Sequence, residues 1–285
     1  MRRVLAIGMV AIGAAVYPAS AQSAPLWRSV DLARQLADTM PQRIHVQYGS
    51  GKVDVRGASE PLLYQMHLRY DETRSTPLHR YDAAQRSAML GSEPRPGATH
   101  VSRDGEETGE LRLALPRSVP LDLDLELAGT QSTLDLGGMA LQSLRLEGGA
   151  ADATLSFSSP NRIPMRELDI GVGAADLVAT QLANANADRI RIRGGIGVMD
   201  LDFSGSWTHD VAVTTSLALG KLIVRVPSDV GVRVAVERIA AGFEHAGFVK
   251  RDDGWYSPNW DRATHHLRIS AETYLGKIDI RRGGR

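Results

Sequence analysis

The sequence predicts an all-β protein: a β-helix-like β-solenoid with Gly-turn rungs of about 24 residues, preceded by a strand-rich N-terminal portion. Three observations carry this expectation. Short runs with strict alternation of apolar and polar residues recur from Ile44 to Ile280, glycine-rich strings punctuate them, and the strings return at a nearly fixed spacing. The strings are GGAADATLSF (148–157), GVGAADLVAT (171–180), GGIGVMDLDF (194–203) and ALGKLIVRV (218–226). Aligned on Gly149, Gly173, Gly197 and Gly220, they stand 24, 24 and 23 residues apart. A fixed period of this length, without intervening helical patterns, marks stacked repeat units, and the two-residue alternation makes each unit a strand. Glycine suits the corners between rungs because a Cβ would clash where the chain reverses with positive φ.

Taken in order, the chain opens with Met1-Arg2-Arg3, an apolar run from Val4 to Tyr17, and Ala19-Ser20-Ala21. A basic start, a short apolar stretch and a small-x-small site read as a secretory signal peptide over 1–21, cleaved after Ala21, and not as a membrane span. Residues 22–43 show no clean period and read as a linker, with a short helix over Asp31 to Met40 ending before Pro41. A single all-β domain is expected over 44–281. Its first part, 44–115, holds the N-terminal strands. Ile44–Tyr48 and Val53–Val55, on either side of Gly49 and Gly51, give a hairpin signal, and 62–71 gives a further strand.

The solenoid rungs are expected over 118–236, and an irregular cap with the last rung over 237–281. The period also predicts which residues face inward. They are Val53 and Val55, Leu155 and Phe157, Leu177 and Ala179, Met199, Leu201 and Phe203, Leu222, Val224 and Val226, and Ile278 and Ile280. All are apolar, and each large side chain fully buried contributes roughly 1.5–3 kcal/mol.

Composition excludes several functions. The chain has 285 residues, 43% of them hydrophobic, and balances 33 Lys and Arg against 33 Asp and Glu. Losing Arg2 and Arg3 with the leader leaves a net charge near −2, without the basic surface that nucleic-acid binding needs. The basic tail, Arg281 to Arg285, is short and reads as a solvated end. Cys is absent, so neither a disulfide nor a lipid-modified Cys is available, and no second apolar stretch is long enough to span a bilayer. The mature chain is expected to be soluble or peripherally held, in the periplasm or outside the cell.

With the unit G-x-G-x-x-(D)-Φ-x-Φ established, the chain resembles the toast-rack β-domain proteins, an adhesin-like cell-envelope family. That fold also appears in the C-terminal part of cell-wall-active-antibiotic response proteins. The residues that carry the resemblance are Tyr48-Gly49-Ser50-Gly51-Lys52-Val53-Asp54-Val55 and the units at 148–157, 171–180, 194–203, 218–226 and 274–280. The resemblance implies the fold and an envelope setting. It brings no catalytic residues, and the membrane-spanning helices of the antibiotic-response proteins have no counterpart here.

Two places invite a functional reading. Asp152, Asp176 and Asp200 lie three residues after their aligned glycines, 24 apart, with Asp54 and Asp279 at the same template position. Stacked on rungs about 4.8 Å apart, such carboxylates repel unless water, a basic side chain or a cation lies among them. The row therefore either holds a weak calcium-type site or is an outward polar row splayed into solvent. A parallel row, Arg145, Asp169 and Arg193, alternates in sign and reads as structural.

The aromatic stretch around Trp255, Tyr256 and Trp260 either offers a stacking surface to a sugar ring or plugs the end of the core. The histidines are scattered, no zinc-type spacing occurs, no Ser lies in a nucleophile elbow, and no cofactor motif is present. The expectation is an exported, non-enzymatic cell-envelope protein with a structural, adhesive or protein-interaction role, partnered by an envelope protein or cell-wall polymer. An accessory sensor or ligand-binding protein in envelope stress comes second, and a polysaccharide-acting β-helix enzyme last.

Overall fold

A computed structural model describes residues 24–59, 61–96, 108–150, 152–174 and 176–283, so the signal-peptide reading of 1–21 lies outside the described residues. The fold is all-β. Among the described residues it comprises 17 strands and two short 3-10 turns.

A parallel ladder forms its body. β2 (Gln42–Gly57) pairs along its length with β7 (Leu121–Asp135). The two halves of β7 then pair with β8 (Leu141–Gly148) and β9 (Asp152–Ser156). These pair with β10 (Glu167–Ala174) and β11 (Leu177–Thr180), and both of those with β12 (Arg189–Asp202). Beyond β12 come β13 (Val211–Pro227), then β17 (His266–Gly283), and outermost β14 (Gly231–Glu244). The last rungs are therefore out of chain order, because β17 inserts between β13 and β14.

Each long strand bends near its middle, and the buried parity changes there. In β13 the buried residues before the bend include Val211, Val213 and Leu217, and those after it Leu222, Val224 and Val226. An odd step at the bend keeps both halves facing one core. The aligned glycines sit at this bend. Gly197, Gly220 and Gly276 are register partners on three adjacent rungs, with φ of 143°, 141° and 132°. The expected corners between rungs are thus bends inside rungs, and the rungs are joined by 157–166, 181–188 and 203–210. Two of those connections turn on buried asparagines. Asn184 donates to the Phe157 carbonyl at 2.9 Å and accepts from the Ser206 amide at 2.8 Å, and Asn161 bridges the Leu141 and Ile163 carbonyls. All fourteen residues expected to face inward are buried.

Three other expectations change. The stretch 44–55 is not a hairpin but one continuous strand, β2, since Gly51 (φ 118°) bends the chain without reversing it. The stretch 22–43 is more than a linker: β1 (Trp27–Gln35) runs antiparallel to β3 (Leu62–Asp71), where a short helix was expected. Edge pairing satisfies its backbone, with Trp27, Val30 and Leu32 half-covered, and outweighs a weak helical preference. The stretch 237–281 does contain an antiparallel hairpin, β15 (Val249–Arg251) and β16 (Gly254–Tyr256). Its first residues, however, complete rung β14, which pairs with β17 as far as Glu244.

The first rung is covered as well. β5 (Ser87–Pro94) pairs with the first half of β2 and β6 (Glu110–Leu115) with the second, while β4 (Ser75–Asp82) and β3 flank them. At the other end β16 pairs with β14 at Arg233 and Val234.

A Cβ on Gly220 would overlap the Gly197 carbonyl oxygen, whereas Gly242 has nothing within 4 Å of that position. Gly220→Ala is expected to cost about 1–3 kcal/mol, and Gly242→Ala to change stability by about 0.5 kcal/mol at most, as read by denaturant melts.

Asp135 ties the end of β7 to the next connection, accepting from the Gly137 amide at 3.1 Å and from the Ser158 hydroxyl at 2.8 Å. Burial opposes its charge, but these hydrogen bonds hold the carboxyl below its ordinary value. A carboxyl depressed in the folded state stabilises above its unfolded pKa of about 4 and loses that contribution as pH falls through the folded value. Asp135→Asn is therefore expected to cost about 1 kcal/mol at pH 7. The difference between the two proteins should close below about pH 3, as followed by urea melts across pH.

Candidate binding surfaces

The outward residues of the ladder are held mostly by their neighbours. Asp152 and Asp176 do stand on adjacent rungs, since Ala153 pairs with Leu177. Asp200 does not continue that row. Leu177 pairs with Met199, a step of 22 residues, so Asp200 lies beside Val178 and the rung neighbour of Asp176 is Val198. A two-residue slip preserves the face that each residue occupies while moving it along the strand.

The carboxylates are also engaged. Asp176 accepts from the Val198 amide at 2.8 Å, the Asp152 carboxylate faces the Asp176 amide at 3.4 Å, and Asp200 is ion-paired with Arg225. Asp279 is buried and takes a hydrogen bond from Arg281, which holds its carboxyl below the ordinary value. Asp54 is the register partner of Arg112 across β2 and β6, without an ion pair to it. This geometry binds rung to rung instead of leaving a row of free oxygens.

The same slip affects the second row. Asp169 pairs in register with Arg145 on one side and with Arg191, not Arg193, on the other. Arg193 still reaches diagonally to Asp169 and Glu147, at 3.0 Å each. Exposed pairs of this kind contribute at most about 1 kcal/mol each.

The aromatic residues pack against the chain's own end rung. Tyr256 is buried and donates its hydroxyl to Asp253 at 2.7 Å. Trp255 lies over His245 at 3.6 Å between ring centres and meets Phe243 edge-on at 5.7 Å. Trp260 sits edge-on to Tyr256 at 5.1 Å and to His266 at 4.5 Å. Trp255 and Trp260 keep part of their surface in solvent, but no two of these rings form a flat open platform.

Sequence spacing gave no hint of two histidine groups. His45 Nδ1 lies 3.3 Å from Asp124 and its Nε2 3.9 Å from Glu126. Among the described residues this is the single compact group of three potential metal ligands. Its two ring nitrogens address different carboxylates, which braces the imidazole between β2 and β7. His67 Nδ1 lies 2.7 Å from Asp31, across β1 and β3.

An apolar ridge follows the bend. Ile196, Leu219 and Leu275 are register partners on three adjacent rungs and are 56%, 43% and 50% exposed. Tyr274 and Val198 widen it. Each of the three ridge residues directly precedes its bend glycine, Gly197, Gly220 or Gly276, and that was the available sequence signal. A contiguous exposed apolar patch of this kind marks an interaction surface more often than chance exposure does.

A capped parallel ladder whose polar faces are mostly paired internally, with an apolar ridge left open, defines a β-scaffold that presents surfaces. The chain belongs to the toast-rack family: residues 30–178, from β1 into β11, match the N-terminal domain of toast_rack. No curated protein matches the sequence significantly. Among solved structures, one from Clostridium sporogenes ATCC 15579, provisionally named a cell adhesion protein, is similar at 16% identity and a TM-score of 0.49, covering 90% of this chain and 100% of its own. Another from Bacteroides fragilis NCTC 9343, provisionally named an adhesin, is similar at 8% identity and a TM-score of 0.45, covering 91% and 98%. No helix of the described residues is long and apolar enough to cross a membrane.

Asp176→Ala is expected to cost about 1 kcal/mol, because the Val198 amide loses its acceptor. Millimolar calcium is expected to leave the melting temperature of both proteins unchanged, and a rise in the wild-type protein alone would restore a cation role to the carboxylates.

Proposed function

We propose that this toast-rack protein is an exported component of the cell envelope that works by surface binding and not by catalysis, in a structural, adhesive or protein-interaction role. The ridge of Ile196, Leu219 and Leu275 carries this reading. Three large aliphatic side chains are held in solvent on a rigid parallel ladder, where a polar residue would cost the fold nothing. Such a row suits the desolvated centre of a protein contact, and Tyr274 beside it supplies an aromatic anchor. Export rests on the leader over 1–21.

We also read the ladder as a β-solenoid. Successive rungs step by 24, 22 and 23 residues, as Leu144 to Leu168, Leu168 to Ile190 and Ile190 to Val213 show. Connections as short as 181–188 and 203–210 offer little wall for the groove of a polysaccharide-acting enzyme. The reading of an accessory ligand-binding protein draws support from a hollow at the N-terminal end.

The test is capture of crosslinked partners from the envelope fraction with the mature protein and with the double variant Leu219→Asp, Leu275→Asp. The variant is expected to melt within about 0.5 kcal/mol of wild type and to recover its protein partner at least about tenfold less well. Equal recovery by both proteins would reject the ridge as the contact.

A further inference from the structure

At the N-terminal end, on the outer face, β1, β3, β6 and β2 lie side by side and enclose a hollow of about 280 Å³. The register places Asp31, His67 and Arg112 in one outward row across β1, β3 and β6, and Ala33, Gln65, Ala114 and Arg56 in the next. Small Ala33 and Ala114 alternate with long Gln65 and Arg56, so the second row has room between its long side chains.

The charges in the hollow are unevenly used. Arg112, which lines the hollow, donates through Nε to Glu110 at 2.7 Å, and that bond leaves its terminal nitrogens free to donate elsewhere. The Asp31 carboxylate is taken up by His67. Asp54, the register partner of Arg112, lines a neighbouring hollow over β7 and β9 instead. Arg56 is exposed, and its guanidinium makes no ion pair with any described residue, in contrast to Arg145, Arg191, Arg193 and Arg225 elsewhere on the outer faces. Two guanidinium groups on adjacent strands, one anchored and one unpaired, present N–H forks into one depression. Such forks match the paired oxygens of a carboxylate or a phosphate.

We propose that this hollow binds an oxyanion group, a carboxylate or phosphate carried by an envelope ligand, with Arg56 and Arg112 as its cationic contacts. The His67–Asp31 pair forms the far wall and Gln65 adds an amide. The hollow stands apart from the ridge, which lies toward the other end of the ladder.

The experiment is calorimetric titration of the mature protein with inorganic phosphate and, separately, with galacturonate as a carboxylate probe. The same titrations are run on Arg56→Gln, Arg112→Gln and the remote control Arg225→Gln, with circular dichroism confirming that each variant is folded. Binding of at least one probe is expected, weakened tenfold or more in both Arg56→Gln and Arg112→Gln and unchanged in Arg225→Gln. The probe that binds identifies phosphate or carboxylate as the source of the group. Absence of binding by both probes, or binding that either hollow variant leaves intact, would overturn the proposal.

Discussion

The close parallel stacking of bent strands is the constraint on which the rest depends. At the bend, each rung brings its backbone so near the next that a Cβ on Gly220 would overlap the carbonyl of Gly197, and one on Gly276 that of Gly220. Glycine there is a packing requirement between rungs as much as a conformational one. The bend reverses the inward parity, which lets one long strand line two walls of a single core. From this follow the continuous buried stacks that run from Val53 and Val55 to Ile278 and Ile280.

A stack of parallel rungs has two ends, and an open end invites pairing with another chain. The two ends here are handled differently. At the first rung, β5 and β6 share the edge of β2 and carry antiparallel neighbours outward to β4, β3 and β1. At the last, β16 pairs only with the start of β14, Ser257 and Asn259 add hydrogen bonds to Val232 and Val230, and the aromatic rings pack beside them. Trp255, Tyr256 and Trp260 are thereby explained by position: they lie where the ladder stops.

Much of the core was legible in the sequence because a two-residue period survives errors of register. Aligning Gly173 with Gly197 misplaces the rungs by two residues, yet every residue assigned inward is still inward. The outer face has no such tolerance. The same slip moves Asp200 away from Asp176, so the carboxylate row dissolves and its members turn out to be backbone acceptors and ion-pair partners. Long-range order was also hidden: nothing local tells that β17 enters between β13 and β14, or that β1 finds β3. His67, Arg112 and Arg56 meet only through strand pairings spanning some 45 to 60 residues, which no spacing rule reports.

The outer surface divides according to whether its groups are already satisfied. Along β8, β10 and β12, acidic and basic side chains alternate between rungs and consume one another's charge, so these faces gain little from a partner. The ridge and the N-terminal hollow are the exceptions, the one apolar without cover and the other holding a guanidinium, Arg56, that no described residue pairs. Both lie at breaks in the regular lattice: the ridge where strands bend, the hollow where antiparallel strands join the parallel stack and alanines interrupt the rows of long side chains. A repetitive β-scaffold solves its interior by regularity, and that regularity leaves recognition to the places where the repeat is broken.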